Sequence, residues 1–121
     1  MKKQYTFVLN FGYVESSGLS VYHWQGGPFE LYVLDAGRFK KEHGIHSGEA
    51  FKELIAKKLQ ENDTVTVLLN DTMGFGSSWI EEAFGGLVRD NTFSAYDLHK
   101  KLTIEADDKS LITEAWSYID G

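Results

Sequence analysis

The sequence predicts an α/β domain, close to the α+β class, with a mixed β-sheet, helices packed on the sheet and an antiparallel hairpin at its start. Residues 5–33 are rich in β-branched and aromatic side chains and are broken by glycines and by Pro28, which is typical of short antiparallel strands joined by turns. After residue 29 strands alternate with helices, which implies right-handed crossovers. At 121 residues, one domain can bury enough apolar surface to fold unaided.

The first half of the chain contains three predicted strands and one predicted helix. The strands are residues 5–9, 19–24 and 29–34, and the polar residues 36–46 lack a sustained period and are predicted to form a loop. Ser47 is the predicted cap of a helix whose apolar face is formed by Phe51, Leu54, Ile55 and Leu59. Residues 65–69 are almost continuously apolar, which favours a parallel strand buried on both faces.

The second half of the chain is predicted to contain two further helices and one strand. The first helix spans about residues 78–90, a helical turn falls within 93–99, and residues 101–105 form a strand. Asp107 or Asp108 is the expected cap of the last helix. The apolar faces of the two helices are Ile80, Ala83, Phe84, Leu87 and Val88 in the first, and Ile112, Ala115, Trp116 and Ile119 in the second.

Composition excludes several classes of function. The chain has no cysteine, so it offers no disulfide, thiolate metal site or cysteine nucleophile, in keeping with a reducing compartment. Its net charge of −6 with dispersed basic residues argues against nucleic acid as a partner. Residues 1–10 lack the features of a secretory signal, and no apolar run approaches the roughly 18 residues of a membrane span. We therefore expect a soluble, cytoplasmic protein.

The loop that follows the apolar strand is the predicted working surface, because ligands and partners of open α/β sheets bind beyond the carboxyl ends of parallel strands. Glycines allow this loop to turn sharply, Asp71 places a carboxylate at the strand end, and two serines arrive where the next helix has unpaired N–H groups. The candidate switch or partner-binding residues are Asp71, Thr72, Gly74, Gly76, Ser77, Ser78, Glu81 and Glu82.

Ser78 has two interpretations. Ser78 and Glu81 have the spacing of a capping box, in which each side chain bonds the backbone N–H of the other residue. A serine at a helix start is also a natural phosphorylation switch, since the helix dipole favours a phosphate by about 0.3–1 kcal/mol. Glu81 and Glu82 would repel that phosphate.

Other chemistries fit this sequence less well. The Gly-Phe-Gly-Ser-Ser segment is neither a nucleophile elbow nor a phosphate-binding P-loop. His43 and His46 share one polar loop without the helical spacing of a metal site, and no cofactor is predicted. The pair Gly85 and Gly86 inside a helix costs about 1 kcal/mol per glycine relative to alanine, which indicates a close approach by the sheet or by a partner helix.

A resemblance to a known family rests on residues 65–89, Val-Thr-Val-Leu-Leu-Asn-Asp-Thr-Met-Gly-Phe-Gly-Ser-Ser-Trp-Ile-Glu-Glu-Ala-Phe-Gly-Gly-Leu-Val-Arg. This stretch resembles the core of a bacterial family of uncharacterised STAS-like domains, and residues 37–39, 47–51 and 101–104 resemble its other shared segments. The resemblance covers roughly residues 29–120. It implies a STAS-like domain over residues 29–121, preceded by a β-hairpin extension over residues 1–28.

The family is distantly related to anti-sigma factor antagonists, in which a kinase resembling histidine kinases phosphorylates a serine at a helix start. By motif position Ser78 resembles that serine, although Gly76 replaces the usual aspartate and Trp79 the usual glycine. The resemblance implies a non-enzymatic regulatory or protein-interaction module. Its implied partner is a histidine-kinase-like ATPase or an anti-sigma-type regulator.

Two alternatives remain open. A small ligand or nucleotide could bind the loop at residues 70–78, on the N-terminus of the following helix. A hydrolase using Ser77 or Ser78 would need a nearby histidine, for which His99 is the candidate. The edges of the predicted sheet also leave a homodimer open.

Overall fold

The centre of the fold is a mixed β-sheet with helices on one of its faces. The computed structural model describes residues 4–10, 18–24, 27–69, 76–90 and 93–121. Within these residues the sheet has five strands in the order β2-β3-β1-β4-β5. The strands are β1 (Gln4–Asn10), β2 (Gly18–Trp24), β3 (Gly27–Asp35), β4 (Thr64–Leu69) and β5 (Leu102–Ala106).

The helices follow β3, β4 and β5 along the chain. They are α1 (Ala36–His43), a 3₁₀ turn (Gly44–His46), α2 (Ser47–Glu61), α3 (Ser77–Ile80), a π-helical turn (Glu81–Gly85), α4 (Gly86–Arg89), α5 (Ala95–Lys101) and α6 (Lys109–Asp120). The segments α3, π turn and α4 follow one another without a break, and we call residues 77–89 the composite helix. None of the helices that the structure describes is long and apolar enough to cross a bilayer.

The pairing of β1 differs from the sequence prediction. β1 lies between β3 and β4 and is parallel to both, with Phe7 opposite Tyr32 and Val67. The antiparallel pair is β2 with β3, where Leu19 lies opposite Tyr32. The prediction of a hairpin formed by residues 1–28 was therefore wrong, because local rules favour pairing of consecutive strands and do not show that β1 pairs with distant ones. Residue 28, the predicted boundary, lies inside β3.

Burial alternates along the central strands, so one face of the sheet meets the helices. The buried residues are Tyr5, Phe7 and Leu9 of β1, Val65, Val67 and Leu69 of β4, and Leu102 and Ile104 of β5. The intervening residues Thr66 and Leu68 are half-buried, and Thr103 and Glu105 are exposed. The expectation that residues 65–69 are buried on both faces was wrong. The described helices pack on one face of the sheet, and only the side chains of β4 on that face belong to the hydrophobic core.

Residues 36–46 form α1 and a 3₁₀ turn, and not the predicted loop. Phe39 is 9% exposed, and the centroid of its ring lies 6.3 Å from that of Phe51. A single large apolar side chain produces no periodic signal, so the helix is stabilised by this tertiary contact rather than by its local pattern. His46 occupies the capping position of α2, and Ser47, the predicted cap, is the first helical residue and is buried.

Phe51 joins the layers of the core. Its ring centroid lies 5.2 Å from that of Phe7 on the sheet and 5.5 Å from that of Trp79, on which it stacks. Such aromatic pairs add about 0.5–1.5 kcal/mol beyond the area that they bury. Phe51 thereby fixes the start of the composite helix against both α2 and the central strand.

Candidate functional site

The described part of the predicted working surface lies at the start of the composite helix. Gly76, Ser77 and Ser78 are exposed there, and Glu81 and Glu82 follow in the π turn, half-buried. The other three candidates, Asp71, Thr72 and Gly74, lie outside the described residues.

The composite helix begins one residue before the predicted capping box. Gly76 is the capping residue, with extended backbone at φ −79° and ψ 164°, and its carbonyl accepts the N–H of Ile80 at 3.1 Å. The N–H of Glu81 donates to the carbonyls of Ser77 and Ser78. Ser78 is therefore the second helical residue and not the cap, so the predicted capping box is wrong. Glycine is itself an acceptable capping residue, and the capping-box spacing alone could not exclude it.

Ser78 lines a depression of about 260 Å³ between the composite helix and α1. Lys40 of α1 and Ile45 of the 3₁₀ turn line the same depression. Gly44 precedes Ile45 with φ 58°, a left-handed conformation that glycine adopts at little cost, and the side chain of Ile45 is 86% exposed. The serine hydroxyl thus shares one concave surface with a basic and an exposed apolar side chain.

Glu82 also lines this depression, and it lies against the first turn of α2. A β-carbon at Gly48 would lie 2.9 Å from the β-carbon of Glu82 and 2.9 Å from the backbone oxygen of Trp79. Only a glycine therefore allows the two helices to approach this closely. The carboxylate of Glu82 lies near the positive end of the α2 dipole, and it works against binding of an anionic ligand at Ser78.

The far end of the composite helix is held by ion pairs. Lys52 of α2 bonds Asp90, and Arg89 bonds Glu81. The hydrogen bond from Lys52 and its positive charge lower the pKa of the Asp90 carboxyl. From the sequence, both Glu81 and Glu82 were expected to repel a phosphate on Ser78. Because the charge of Glu81 is paired with Arg89, Glu82 is the main source of that repulsion.

Gly85 and Gly86 let two other helices approach the composite helix. A β-carbon at Gly85 would lie 3.2 Å from the β-carbon of Tyr118 in α6, and one at Gly86 would lie 2.7 Å from Cδ of Lys52 in α2. The close approach that the sequence indicated is therefore made by helices of the same domain. The π turn that ends at Gly85 is a rare feature that no sequence pattern marked.

Neither His46 nor His99 lines the depression around Ser78. Nδ1 of His46 lies 3.8 Å from the Glu49 carboxylate, and Nε2 of His99 lies 2.8 Å from the Asp120 carboxylate. The His99 ring stacks on Trp116 at a centroid distance of 4.3 Å. Among the described residues, no three His, Asp or Glu side chains group as metal ligands would.

Lys40 and Ile45 are the site residues that sequence reasoning missed. Both belong to the segment predicted as a loop, and no local motif connected them with Ser78. Their position depends on the contact between Phe39 and Phe51, which pairs residues from different helices.

A family model described as a STAS-like domain of unknown function (DUF4325) matches residues 47–111. The matched residues run from the start of α2 through β4, the composite helix and β5 to the first turn of α6. No curated protein and no solved structure matches the chain. The match covers more than half of the 121 residues and includes the described working surface. The chain belongs to this family of STAS-like domains.

Proposed function

We propose that this chain is a non-enzymatic regulatory module that binds a partner protein through the surface around Ser78. The observation that carries the proposal is the position of Ser78, which is exposed one residue beyond the helix start while Gly76 occupies the capping position. Its hydroxyl is not the cap of the helix, so a partner or a kinase can reach it without removing a capping interaction.

The neighbours of Ser78 suit a contact that modification can switch. Ile45 offers apolar area and Lys40 offers a positive charge in the same depression. A phosphate on Ser78 would add about −1.5 to −2 charges and would be favoured by the helix dipole and by Lys40. The negative charge of Glu82 opposes it. In this proposal phosphorylation changes the charge of the contact surface and leaves the fold intact.

The partner that this proposal favours is a histidine-kinase-like ATPase or a related anti-sigma-type regulator, in keeping with the resemblance to anti-sigma factor antagonists. Ligand binding at the same depression is less favoured, because Glu82 lines it. No described residue that lines it is a histidine, so Ser78 has no imidazole base among those neighbours.

The test is affinity capture from the native host with wild type, Ser78→Ala and Ser78→Asp proteins. Ser94→Asp is the matched control, because Ser94 caps α5 through the N–H of Asp97 and aspartate caps about as well as serine. We expect a regulator that wild type and Ser94→Asp retain and that Ser78→Asp releases, with phosphate on Ser78 by mass spectrometry. Identical partners for all four proteins, without phosphate on Ser78, would contradict the proposal.

A further inference from the structure

We infer that Glu82 transmits the effect of a phosphate on Ser78 to the far end of the composite helix, by moving its carboxylate between two cavities. The inference rests on the function proposed above and names how a modification of Ser78 is relayed through the domain. One cavity is the Ser78 depression, and the other is a polar cavity of about 240 Å³, which we call the ion-pair cavity. Of the described residues that line either cavity, Glu82 alone lines both. The ion-pair cavity is also lined by Glu49, Lys52, Arg89 and Asp90.

The backbone of Glu82 is held in place, whereas its carboxylate can turn. A β-carbon at Gly48 would lie 2.9 Å from the β-carbon of Glu82 and 3.1 Å from its Oε2 atom, so the residue is packed against the first turn of α2. Glu82 is half-buried, and rotation about its side-chain bonds moves the carboxylate between staggered positions. The carboxylate can therefore face either cavity without movement of a helix.

On the side of the depression, a phosphate on Ser78 repels Glu82. Ser78 lies four residues before Glu82, and both residues line the depression. Side chains at this spacing are neighbours on a helix, and like charges there repel each other. A phosphate carries about −1.5 to −2 charges, and each charge should shift the population of the Glu82 carboxylate away from the depression by about twofold. Lys40 lines the same depression and is attracted more strongly to the phosphate than to the single charge of Glu82.

On the other side, the ion-pair cavity offers Glu82 two cations. Lys52 bonds Asp90, and Arg89 bonds Glu81. An ammonium group has three N–H donors and a guanidinium group has five, so each cation can bond a second carboxylate. The side chain of Lys52 is only 15% exposed, and partly buried charges are screened less than exposed ones. A carboxylate that leaves the depression is therefore received by Lys52 and Arg89.

Negative charges in the ion-pair cavity keep Glu82 facing the depression while Ser78 is unmodified. Asp90 and Glu49 already line that cavity, so a third carboxylate enters it only when it is repelled from the other side. Unmodified Ser78 carries no charge, and both Lys40 and the positive end of the α2 dipole attract Glu82 there. Phosphorylation reverses this balance, because its negative charges lie beside Glu82 in the depression.

The two ends of the composite helix are too far apart for a direct effect of charge. Asp90 follows Ser78 by twelve residues, which is about 18 Å along a helix, whereas exposed charges are screened over about 8 Å at physiological ionic strength. Glu82 in the ion-pair cavity would share Lys52 with Asp90. The hydrogen bond and the charge of Lys52 lower the pKa of the Asp90 carboxyl, so Asp90 is sensitive to such sharing. Modification of Ser78 thereby changes the charges exposed at the far end.

The test measures the second acid dissociation constant of a phosphoserine installed at residue 78 during protein synthesis, by ³¹P NMR of the isolated protein. This proton is lost near pH 6, where carboxylates are ordinarily charged. Lys52→Met should lower the constant by about twofold, because Glu82 then stays beside the phosphate. Asp90→Asn should raise it by about twofold, because Lys52 then attracts Glu82 more strongly. In a Glu82→Gln background, neither substitution should change the constant.

Matched controls separate the relay from general effects of charge. Lys57→Met and Glu53→Gln remove one charge of each sign at exposed positions of α2 that line neither cavity, and they should leave the constant unchanged. Amide NMR spectra check the fold of each protein, and Asp90→Asn tests the relay with the opposite sign if Lys52→Met does not fold. Absence of both changes in wild type, or the same changes in the Glu82→Gln background, would overturn the inference.

Failure of the relay is distinct from failure of the proposed function, because the NMR measurement needs no partner protein. Release of a regulator by Ser78→Asp, combined with a phosphoserine that does not respond to Lys52→Met and Asp90→Asn, would refute only the relay. Both responses without capture of a regulator would support the relay and contradict only the proposed function.

Discussion

The two ends of the composite helix are built differently. Its start consists of a glycine cap and two exposed serines, whereas its end is held to α2 by Lys52 and Asp90 and to its own π turn by Arg89 and Glu81. Between the ends, the side chains from Trp79 to Leu87 are mostly buried. The helix is therefore anchored along its length, by the buried Trp79 near its start and by the ion pairs at its end, whereas the exposed Ser77 and Ser78 can accept a new charge with little loss of stability.

The crossing of α2 with the start of the composite helix gives the largest expected effect. Gly48→Ala should lower the free energy of unfolding by about 1–3 kcal/mol, because the new β-carbon meets the backbone oxygen of Trp79 and the β-carbon of Glu82 at 2.9 Å. Urea unfolding measures the change. Gly76→Ala is the control, since a β-carbon there would have no neighbour within 4 Å among the described residues, and it should lose only about 0.5–1 kcal/mol, because alanine is a poorer helix cap than glycine. Equal stability of Gly48→Ala and wild type would show that the helices are not in close contact at Gly48.

Alanine substitutions of Ser78 and Ser94, the two serines near helix starts, should change stability by an intermediate amount. The Ser94 side chain accepts the N–H of Asp97 at 3.1 Å, so Ser94→Ala should cost about 1 kcal/mol. Ser78→Ala should cost less than about 0.5 kcal/mol, because Gly76 is the cap. Thermal and urea unfolding of both variants provide the measurement. If Ser78→Ala lowered the free energy of unfolding more than Ser94→Ala does, Ser78 and not Gly76 would be the cap of the composite helix.

The smallest expected effect is on the stability of the protein at low pH, through Asp90 at the far end of the composite helix. Lys52 lowers the pKa of Asp90 below its ordinary value of 3.8. The folded state then binds this proton less readily than the unfolded state, so the contribution of Asp90 is complete above that value and is lost as the pH falls through the folded pKa. Asp90→Asn should therefore flatten the decline of the urea midpoint between about pH 5 and pH 2.

The pKa of Asp108 is lowered in the same direction as that of Asp90. Hydrogen bonds from the Ser110 hydroxyl and N–H lower the pKa of the Asp108 carboxyl, so Asp108→Asn should flatten the same part of the curve. If the curves of both variants ran parallel to that of wild type, neither carboxylate would contribute to acid sensitivity.

Sequence patterns predicted the elements that have a strong local signal. The period of Phe51, Ile55 and Leu59 predicted α2, and all three residues are buried. Asp108 caps α6 through the N–H of Ser110, as expected, although Leu111 and not Ile112 is buried there. The family resemblance was confirmed, over the narrower range of residues 47–111.

The features that sequence missed depend on distant contacts. α1 needs Phe51 of the next helix, the position of β1 needs β3 and β4, and the depression around Ser78 needs Lys40 from α1. The capping box failed for a different reason, because Gly76 and Ser78 both satisfy the local rules for a helix start. A single sequence ranks such local alternatives poorly when packing decides between them.

The central position of β1 has a consequence for the order of folding. Tyr5 pairs with Glu30 in β3 and with Val65 in β4, which lies sixty positions further along the chain, so β1 can pair with β3 well before β4 is available. Until β4 is in place, the open edge of β1 is one that another chain could occupy. Pairings this distant along the chain form slowly compared with helices. During synthesis this edge of β1 stays open until β4 has been made, and association between incomplete chains is favoured in that interval.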